Sequence, residues 1–553
     1  MKNWTRLLAI LLMLGMLLSL AACGGKSADK VVRELVNEDA DAILLKNFAS
    51  PLDYYKAVEQ RRADELMGLV NGSAVLQDAQ NGVEFFRTEF LTLLDQSVLD
   101  QELLDDLTRA AGMDLSWIKS FGLIVTSGRD GNLGQSSAAL RLNDTDIIHM
   151  DMVMDSAAMT AYVSVPELSD SAFFMDMAEM LSSSGGFSTE EVVELFSGAG
   201  ANDAGVYLEI INRYFGIVLD NITKVEVSEG SVSAGGISCE CNIAKVTIEA
   251  EDVRRIGNAV LDAAAQDQDV EDLAYRILKS AGEYSGSRDN FHAYFLNLLD
   301  SAREDLEDVD DSGYILMTVY IDEKGEILGR CIQGISDEGD KALRLSYITA
   351  RDGWKLGLDA EFGVFNKYGS GENAWEYQTV VKLSGAGSYS SDSGKLTGDF
   401  LATYYELDDY RGQREETNLE LFNVKVDATL CKEGLLGEIL LTPCEDLINL
   451  ILDELGDVPD SVVKLLRSLT VAIVNSSTSE KLDCAIILRS SGQDLLTMKM
   501  TMSPTEKFEI TVPANPVDMD TWTSSIGFGA LTTIIGKLNE AGVPSSLFNS
   551  LIG

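Results

Sequence analysis

Histidine, the usual general base of hydrolytic sites, occurs only at His149 and His292. A nucleophilic serine needs a base held beside it, yet His149 lies in an alternating segment and His292 borders an apolar stripe. Ser461 and Lys464 have S-x-x-K spacing, but the S-D-N and K-T-G motifs of enzymes that use this spacing are missing. The chain also lacks a P-loop, a G-x-G-x-x-G motif and an H-E-x-x-H motif. The sequence therefore predicts a protein that is not an enzyme.

Acidic side chains allow two other kinds of site. A pair of carboxylates can hydrolyse a glycosidic bond, and a carboxylate-dependent hydrolase stays open, although none of the 89 acidic residues forms a distinctive pair. Asp308, Asp310 and Ser312 precede Gly313 with the alternate spacing of a calcium loop. Position twelve of such a loop would be Val319 and not glutamate, which excludes an EF-hand. These three oxygen ligands predict either a looser calcium site or an acidic turn without metal.

Methionines are concentrated in one predicted strand. Met150, Met152 and Met154 alternate with polar residues and therefore share one face, whereas His149 points to the other. Thioethers can bind Cu(I), but methionine is also an adaptable filler of apolar space. We expect these three side chains to belong to a core or to line a cavity for an apolar ligand.

The first 23 residues have the parts of a bacterial export signal. Lys2 and Arg6 precede the apolar run Leu7–Leu18, which is shorter than the ~20 residues of a membrane span. The segment Leu20-Ala21-Ala22-Cys23 resembles the lipobox of bacterial lipoproteins. The resemblance implies that a diacylglyceryl group joins the thiol of Cys23, with or without an N-acyl chain, and that residues 1–22 are removed. We therefore expect a lipid-anchored protein on the extracytoplasmic face of the cell membrane.

The other six cysteines form no C-x-x-C pair, which argues against zinc or redox chemistry. Cys239 and Cys241 are predicted to be small buried residues of one strand, and one or two disulfides stay open because the protein is exported. The sequence implies no bound cofactor.

The charge of the chain is strongly negative, at −46, and loss of Lys2 and Arg6 with the signal makes it more negative. Such a body repels nucleic acid and anionic lipid headgroups. We therefore expect no nucleic-acid partner, and the acidic surface favours solubility.

Hydrophobic periodicity predicts the elements. Residues 31–111 are predicted to be mostly helical, including Phe86–Leu107, and from Trp117 the period changes to two. Capping-box spacing predicts a helix from Ser188, and three amphipathic helices precede residue 310. Later strands are predicted at 314–321, 327–332, 342–349, 354–365, 374–384, 396–406, 417–428, 470–476, 482–490, 494–502 and 507–512, with helices at 445–454, 459–468, 517–540 and 544–552.

These runs of strands and helices predict an α+β fold of large, curved antiparallel sheets with helices on one face. The predicted organisation is a signal peptide at 1–22, a flexible tether at 23–30, an α+β lobe at 31–310 and a β-meander lobe with terminal helices at 311–553. A single undivided body is the alternative to two lobes.

Two segments carry further resemblances. Tyr162–Leu168 ends a strand and opens a helical stretch, and Asn515–Pro544 forms a closing helical unit. With the lipobox, they resemble large lipoproteins of Gram-positive gut anaerobes, a group without an established activity. The architecture is also similar to that of half-barrel lipid carriers of the LolA, LolB and LppX type. We expect a non-catalytic binding or structural role, with a lipid or other apolar ligand; the alternative is a surface solute-binding or interaction module.

Overall fold

The computed structural model describes residues 42–71, 85–111, 114–177, 199–280, 283–309, 313–336, 341–368, 375–390, 393–410, 412–431, 434–478, 480–545 and 547. These residues form ten α-helices and 19 strands, and each ladder between two of these strands is antiparallel. The predicted α+β class with antiparallel sheets is therefore confirmed. Within these ranges, no helix is both long enough and apolar enough to cross a membrane.

The helices are α1 (Pro51–Asn71), α2 (Gln101–Ala111), α3 (Ala199–Asp220), α4 (Ala250–Ala264), α5 (Gln268–Ser280), α6 (Arg288–Glu307), α7 (Glu445–Leu455), α8 (Asp460–Ser468), α9 (Met519–Ser525) and α10 (Phe528–Glu540). Short 3-10 turns lie at Leu45–Asn47 and Gln96–Val98. Side-chain caps fix several helix starts: Glu249 and Asp252 form a capping box at α4, and Asp518 accepts a hydrogen bond from the Thr521 amide at α9.

The strands are β1 (Phe85–Leu94), β2 (Ser120–Asp130), β3 (Leu133–Leu142), β4 (Thr145–Asp155), β5 (Thr160–Ser164), β6 (Phe173–Asp176), β7 (Val225–Ala234), β8 (Ile237–Glu249), β9 (Tyr314–Ile321), β10 (Ile327–Ile335), β11 (Lys341–Asp352), β12 (Lys355–Tyr368), β13 (Trp375–Tyr389), β14 (Lys395–Tyr410), β15 (Gln413–Cys431), β16 (Gly434–Pro443), β17 (Leu469–Asn475), β18 (Leu482–Ser490) and β19 (Gln493–Pro504).

The described residues group into two compact units. Unit 1 takes its residues from Met1–Leu76, Ala204–Leu435 and Leu441–Ile451, and unit 2 from Gln77–Asp203, Leu436–Leu440 and Leu452–Gly553. The position near residue 310, where the sequence predicts a division, lies inside unit 1.

Unit 1 contains a continuous antiparallel meander from β7 to β15. Helix α1 packs on β8 and β9, where Tyr54, Tyr55 and Val58 are almost completely buried. Helices α4, α5 and α6 form a second core around Phe291. The tip of the β7–β8 hairpin lies against β12, so close that a Cβ on Gly357 would be 1.8 Å from the carbonyl oxygen of Ala234.

In unit 2 the strands pair in the antiparallel order β17, β18, β19, β1, β2, β3, β4, β5, β6. Asn143 and Asp144, both with positive φ, form the tight turn between β3 and β4. The Asn143 side-chain amide nitrogen donates to the carbonyl oxygens of Trp117 and Ala541, which ties this turn to the end of α10.

Most predicted elements after residue 117 are present, but two predictions are wrong. Residues 85–94 form strand β1 and not a helix. The sequence predicts a helix there because the strand is apolar on both faces, and its apolar spacing therefore mimics a helical stripe. Residues 507–512 form no strand. Helix α3 and strand β16 were not predicted. The predicted helix from Ser188 and the signal segment lie outside the described residues. Of the final helix, predicted at 544–552, the structure describes only residues 544, 545 and 547.

Candidate functional site

A continuous apolar surface covers one face of the sheet in unit 2. Cross-strand neighbours form three rows on this face: Ile473, Ile486, Met498, Thr92, Phe121 and Leu142; Cys484, Met500, Phe90, Leu123, Leu140 and Ile148; and Leu482, Met502, Thr88, Val125, Ala138 and Met150. We call these rows, together with Phe86, Met152 and Met154, the apolar face. The seven strands from β17 to β4 at the usual spacing give a width of roughly 30 Å.

Much of the apolar face is open. The large side chains Phe86, Phe90, Phe121, Leu123, Met150, Ile473, Ile486 and Met498 have exposed fractions between 36% and 51%. The aromatic side chains of this group have areas of ~150–250 Å² each. With the exposed fractions above, the eight side chains together present an apolar patch on the order of 500 Å². A patch of that size is as large as the largest apolar patch of a typical monomer, and such patches often mark binding sites.

The opposite face of the same strands is mixed: it carries ion pairs, and it also carries the buried apolar residues Ile124, Ala139, Ile147 and Val153. Asp483 accepts a hydrogen bond from Lys481 at 2.7 Å and pairs with Lys499 at 3.1 Å, and Arg87 pairs with Glu89 at 2.6 Å. An antiparallel sheet with one polar and one apolar face ordinarily buries the apolar one. Here both faces carry apolar residues: on the opposite face Ile147 packs against α10 and Val153 packs against Phe85 and Ile510, whereas much of the apolar face is accessible.

A helix covers one end of the apolar face. Trp522 of α9 packs on Phe173 with ring centroids 4.7 Å apart, and its indole nitrogen donates to the Ser171 carbonyl oxygen at 2.9 Å. Met152 and Ile148 are partly buried against this cluster. The covered end therefore begins at Ile148 and Met152 of β4, and the face is open from Met150 to Ile473 of β17.

The predicted methionine group lies on the apolar face. Met150 is 46% exposed, whereas Met152 and Met154 are half-buried beside it. His149 points to the opposite face, where Asp146 and Glu167 surround its ring. The three methionines thus lie on the same sheet face as Leu123 of β2 and Phe90 of β1, with Ala138 of β3 directly beside Met150.

Glu167 is the centre of a charged cluster on the other side of β4. Its side chain is 4% exposed and accepts hydrogen bonds from His149 Nδ1 at 2.7 Å, the His149 amide at 2.9 Å and Lys537 Nζ at 2.5 Å. Burial alone raises the pKa of Glu167, but the hydrogen bonds from Lys537 and His149 outweigh it and lower the pKa to about 2. An ionised carboxylate with three donors holds β4 to α10 and is unsuited to act as a general acid.

The remaining candidates for chemistry have structural partners. The ring of His149 contacts two carboxylates, and His292 Nδ1 lies 2.7 Å from Glu271 Oε2, so both histidines face a buried glutamate. Ser461 is buried and donates to Asp106 at 3.0 Å, while Lys464 is exposed. The hydroxyl of Ser461 therefore has Asp106, and not Lys464, as its hydrogen-bond partner.

The metal and cysteine predictions have separate outcomes. Asp308 is exposed at the end of α6, and Asp310 and Ser312 lie outside the described residues. Within the described part of the chain no three His, Cys, Asp or Glu side chains converge as a metal site.

Cys241 is buried in β8 as predicted, Cys239 is half-buried, and all six cysteines after Cys23 are free thiols. Cys23 lies outside the described residues.

Sequence reasoning missed Phe86 and Phe90, the central aromatic residues of the apolar face. The sequence pattern predicts a helix at these residues, which conceals their alignment with Met500 and Leu123. The alternation of Leu482, Cys484 and Ile486 and of Met498, Met500 and Met502 was a usable signal, because both strands show one apolar face.

Comparison of the chain with models of protein families, with characterised proteins and with solved structures gives no match.

Proposed function

We propose that the protein is a non-catalytic, lipid-anchored protein of the extracytoplasmic membrane surface that holds the acyl chain of a neutral lipid against the apolar face of unit 2. The observation behind the proposal is a sheet face of Met, Phe, Leu and Ile side chains whose largest members are 36% to 51% exposed. An exposed apolar area of this extent is unfavourable in water unless a ligand or a partner covers it.

The composition of the face suits a flexible ligand. Met150, Met498, Met500 and Met502 are unbranched and change shape easily, and methionine-rich surfaces accommodate varied apolar partners. Phe90 and Phe121 add rigid contact area. Each methylene buried on such a surface gains about 0.8 kcal/mol, so partial contact along one acyl chain is enough for binding.

Charge selects the kind of occupant. The chain has a net charge of −46, which repels a lipid with an anionic headgroup and also a second copy of this protein. A neutral or zwitterionic lipid carries no such penalty. An anchor at Cys23 would keep the protein beside a membrane that supplies lipids.

The finer architecture is part of the same proposal. We infer curved sheets with helices on one face, in two lobes, and packing within unit 1 supports it, because α1 covers β8 and β9. In unit 2, α9 covers one end of the apolar face and α10 packs on the opposite face of β4. The apolar face of unit 2 is therefore a shallow surface that α9 covers at one end.

Native mass spectrometry of residues 24–553 tests the proposal. We expect adducts with phosphatidylcholine and fewer with phosphatidylglycerol at equal concentration. The substitutions Phe90→Gln and Met498→Gln should each reduce adduct formation several-fold. Leu93→Gln is the matched control, because Leu93 is 42% exposed on the same strand as Phe90 but points to the opposite face.

Two outcomes contradict the proposal. Adducts that are equally abundant in Phe90→Gln and Leu93→Gln place lipid elsewhere on the protein. A concentration-dependent dimer without lipid adducts, abolished by Phe90→Gln, makes the apolar face a surface between two copies and favours the interaction-module alternative.

A further inference from the structure

A surface cleft of about 290 Å³ lies in unit 1, where β13, β14 and β15 run beside the turn that begins β12. Two cross-strand rows supply its polar side chains: Ser388, Thr397 and Asp427 in one, and Asp399 and Lys425 in the next. Ala386, opposite Asp399, contributes only a methyl group and leaves space between these rows. The volume is at the lower end of the ~300–1,000 Å³ of ligand sites.

Trp354 forms one wall of the cleft and is 66% exposed. It lies in the two-residue turn between Asp352 and Lys355, next to Gly353, whose φ of +61° suits glycine. The carbonyl oxygen of Trp354 accepts a hydrogen bond from the Tyr389 amide at 2.8 Å, which fixes the turn against β13. The backbone of the turn is therefore held in place while its indole ring stays open to solvent.

Two charged side chains in the cleft have no partner within the described residues. Asp399 and Lys425 are directly opposite each other on β14 and β15, yet no ion pair or hydrogen bond joins them there. Asp427, in contrast, is paired with Lys395. The cleft thus presents a free carboxylate acceptor, a free ammonium donor and two hydroxyl groups beside an exposed indole. The two hydroxyls of Ser388 and Thr397 lie 2.7 Å apart.

We propose that this cleft binds a carbohydrate. An indole ring offers a flat apolar surface on which the C–H face of a sugar ring can stack. Asp399 can accept hydrogen bonds from two sugar hydroxyls, and Lys425 can donate to a hydroxyl or ring oxygen. The hydroxyls of Ser388 and Thr397 can both donate and accept, which matches a ligand with many hydroxyl groups.

The charges of the cleft disfavour two other ligand classes. A phosphate or carboxylate ligand would lie beside Asp399 and Asp427, with one free cation to offset them. A quaternary ammonium ion could stack on Trp354, but it would use neither Lys425 nor the two hydroxyls. A neutral sugar uses all of these groups and places no charge next to either aspartate.

The test is calorimetric titration of the purified full chain in detergent with cellohexaose, chitohexaose and maltohexaose. We expect saturable binding of at least one hexasaccharide. Trp354→Ala should weaken it at least tenfold and Asp399→Asn several-fold, with far-UV circular dichroism unchanged because both side chains are exposed. Asp352→Asn is the matched control, since Asp352 is an exposed carboxylate two residues from Trp354 and outside the cleft.

Failure of all three hexasaccharides to bind the wild-type protein overturns the proposal, and so does equal affinity in the wild type and Trp354→Ala. Binding of tetramethylammonium that is lost in Trp354→Ala, without sugar binding, would make the cleft a cation site instead. The lipid proposal is independent: Trp354→Ala should keep the phosphatidylcholine adducts of the wild type.

Discussion

Glu59 of α1 and Arg330 of β10 form a buried two-pronged ion pair. Glu59 Oε1 accepts from Arg330 Nη1 at 2.6 Å and Glu59 Oε2 accepts from Nη2 at 2.5 Å, with exposed fractions of 2% and 13%. Desolvation lowers the pKa of Arg330, but the charge of Glu59 outweighs it and raises that pKa. Tyr55, on the same helix, is fully buried beside the pair, and burial raises its pKa well above the usual range.

Removal of one member of this pair should destabilise unit 1 strongly. Glu59→Gln leaves an uncompensated guanidinium in the core, and we expect a loss of ~3–5 kcal/mol in the free energy of unfolding. The double substitution Glu59→Leu with Arg330→Met should lose less, because it leaves no buried charge. Chemical unfolding followed by circular dichroism measures both.

An exposed ion pair provides the comparison for that experiment. Arg303 and Asp262 are paired at 2.7 Å, with exposed fractions of 30% and 68%. Arg303→Gln should therefore cost no more than about 1 kcal/mol. Equal losses in Glu59→Gln and Arg303→Gln would show that burial of the first pair has no energetic consequence.

Stability should fall in acid because of Glu167. Its pKa is about 2 in the folded protein, below the ordinary value of 4.5. A carboxylate with a depressed pKa stabilises the fold above the unfolded pKa, and the stabilisation is lost as pH falls from about 4.5 towards 2. At 1.36 kcal/mol per unit, the contribution is on the order of 3 kcal/mol. The free energy of unfolding measured between pH 6 and pH 2 gives the slope.

Glu167→Gln should remove this part of the slope, whereas Glu506→Gln should leave it unchanged. Glu506 is an exposed carboxylate of the same unit, so it controls for the general effect of losing one acidic side chain. A slope that is identical in Glu167→Gln and the wild type would mean that Lys537 and His149 do not hold an ionised Glu167.

How far the sequence predicts this structure depends on the range of the interaction. Strand β9 has the predicted bounds 314–321, since its apolar residues and the Asp322–Gly325 turn are local signals. The sequence pattern wrongly predicts a helix at β1, because apolar residues at 85, 86, 90, 91, 93 and 94 fit both a helical stripe and a strand that is apolar on both sides. Local periodicity cannot separate these two cases when both faces of a strand are apolar.

Prediction of the candidate sites has the same limit, because the sequence alone shows only local patterns. Met150, Met152 and Met154 could be placed on one face from alternation alone. Their neighbours on the apolar face come from strands far apart in sequence, and Glu167 is 370 residues from Lys537. The cleft beside Trp354 likewise depends on the register of four strands, which no local pattern specifies. Pairing across such distances is decided by the packed sheet and not by any one segment.

A glycine in β12 should tolerate no side chain. A Cβ on Gly357 would lie 1.8 Å from the Ala234 carbonyl oxygen and 2.6 Å from its carbon, both of them backbone atoms of the β7–β8 hairpin. Gly357→Ala must therefore displace the hairpin tip, and we expect a loss of ~1–3 kcal/mol in the free energy of unfolding.

Gly216 is the control for this substitution. It lies inside helix α3, and no neighbouring atom comes within 4 Å of the position that an alanine Cβ would occupy there. Gly216→Ala should therefore stabilise the helix by ~0.5–1 kcal/mol. Thermal unfolding of the two variants should thus shift the midpoint in opposite directions. A Gly357→Ala variant as stable as the wild type would mean that the hairpin tip does not contact β12.

The last prediction concerns the anchor. Cys23 is the one cysteine that follows a basic, then apolar, then small-residue segment, so Cys23→Ser should abolish both acylation and cleavage before residue 23. Metabolic labelling with a radioactive fatty acid and detergent phase separation measure the two effects. The wild type should carry label and enter the detergent phase, and Cys444→Ser, at a buried cysteine far from the signal, should behave like the wild type. Label that persists in Cys23→Ser, or a wild type found wholly in the aqueous phase, would refute lipid anchoring. The apolar face would then need an occupant other than a lipid drawn from an adjacent membrane, because nothing would hold the protein there.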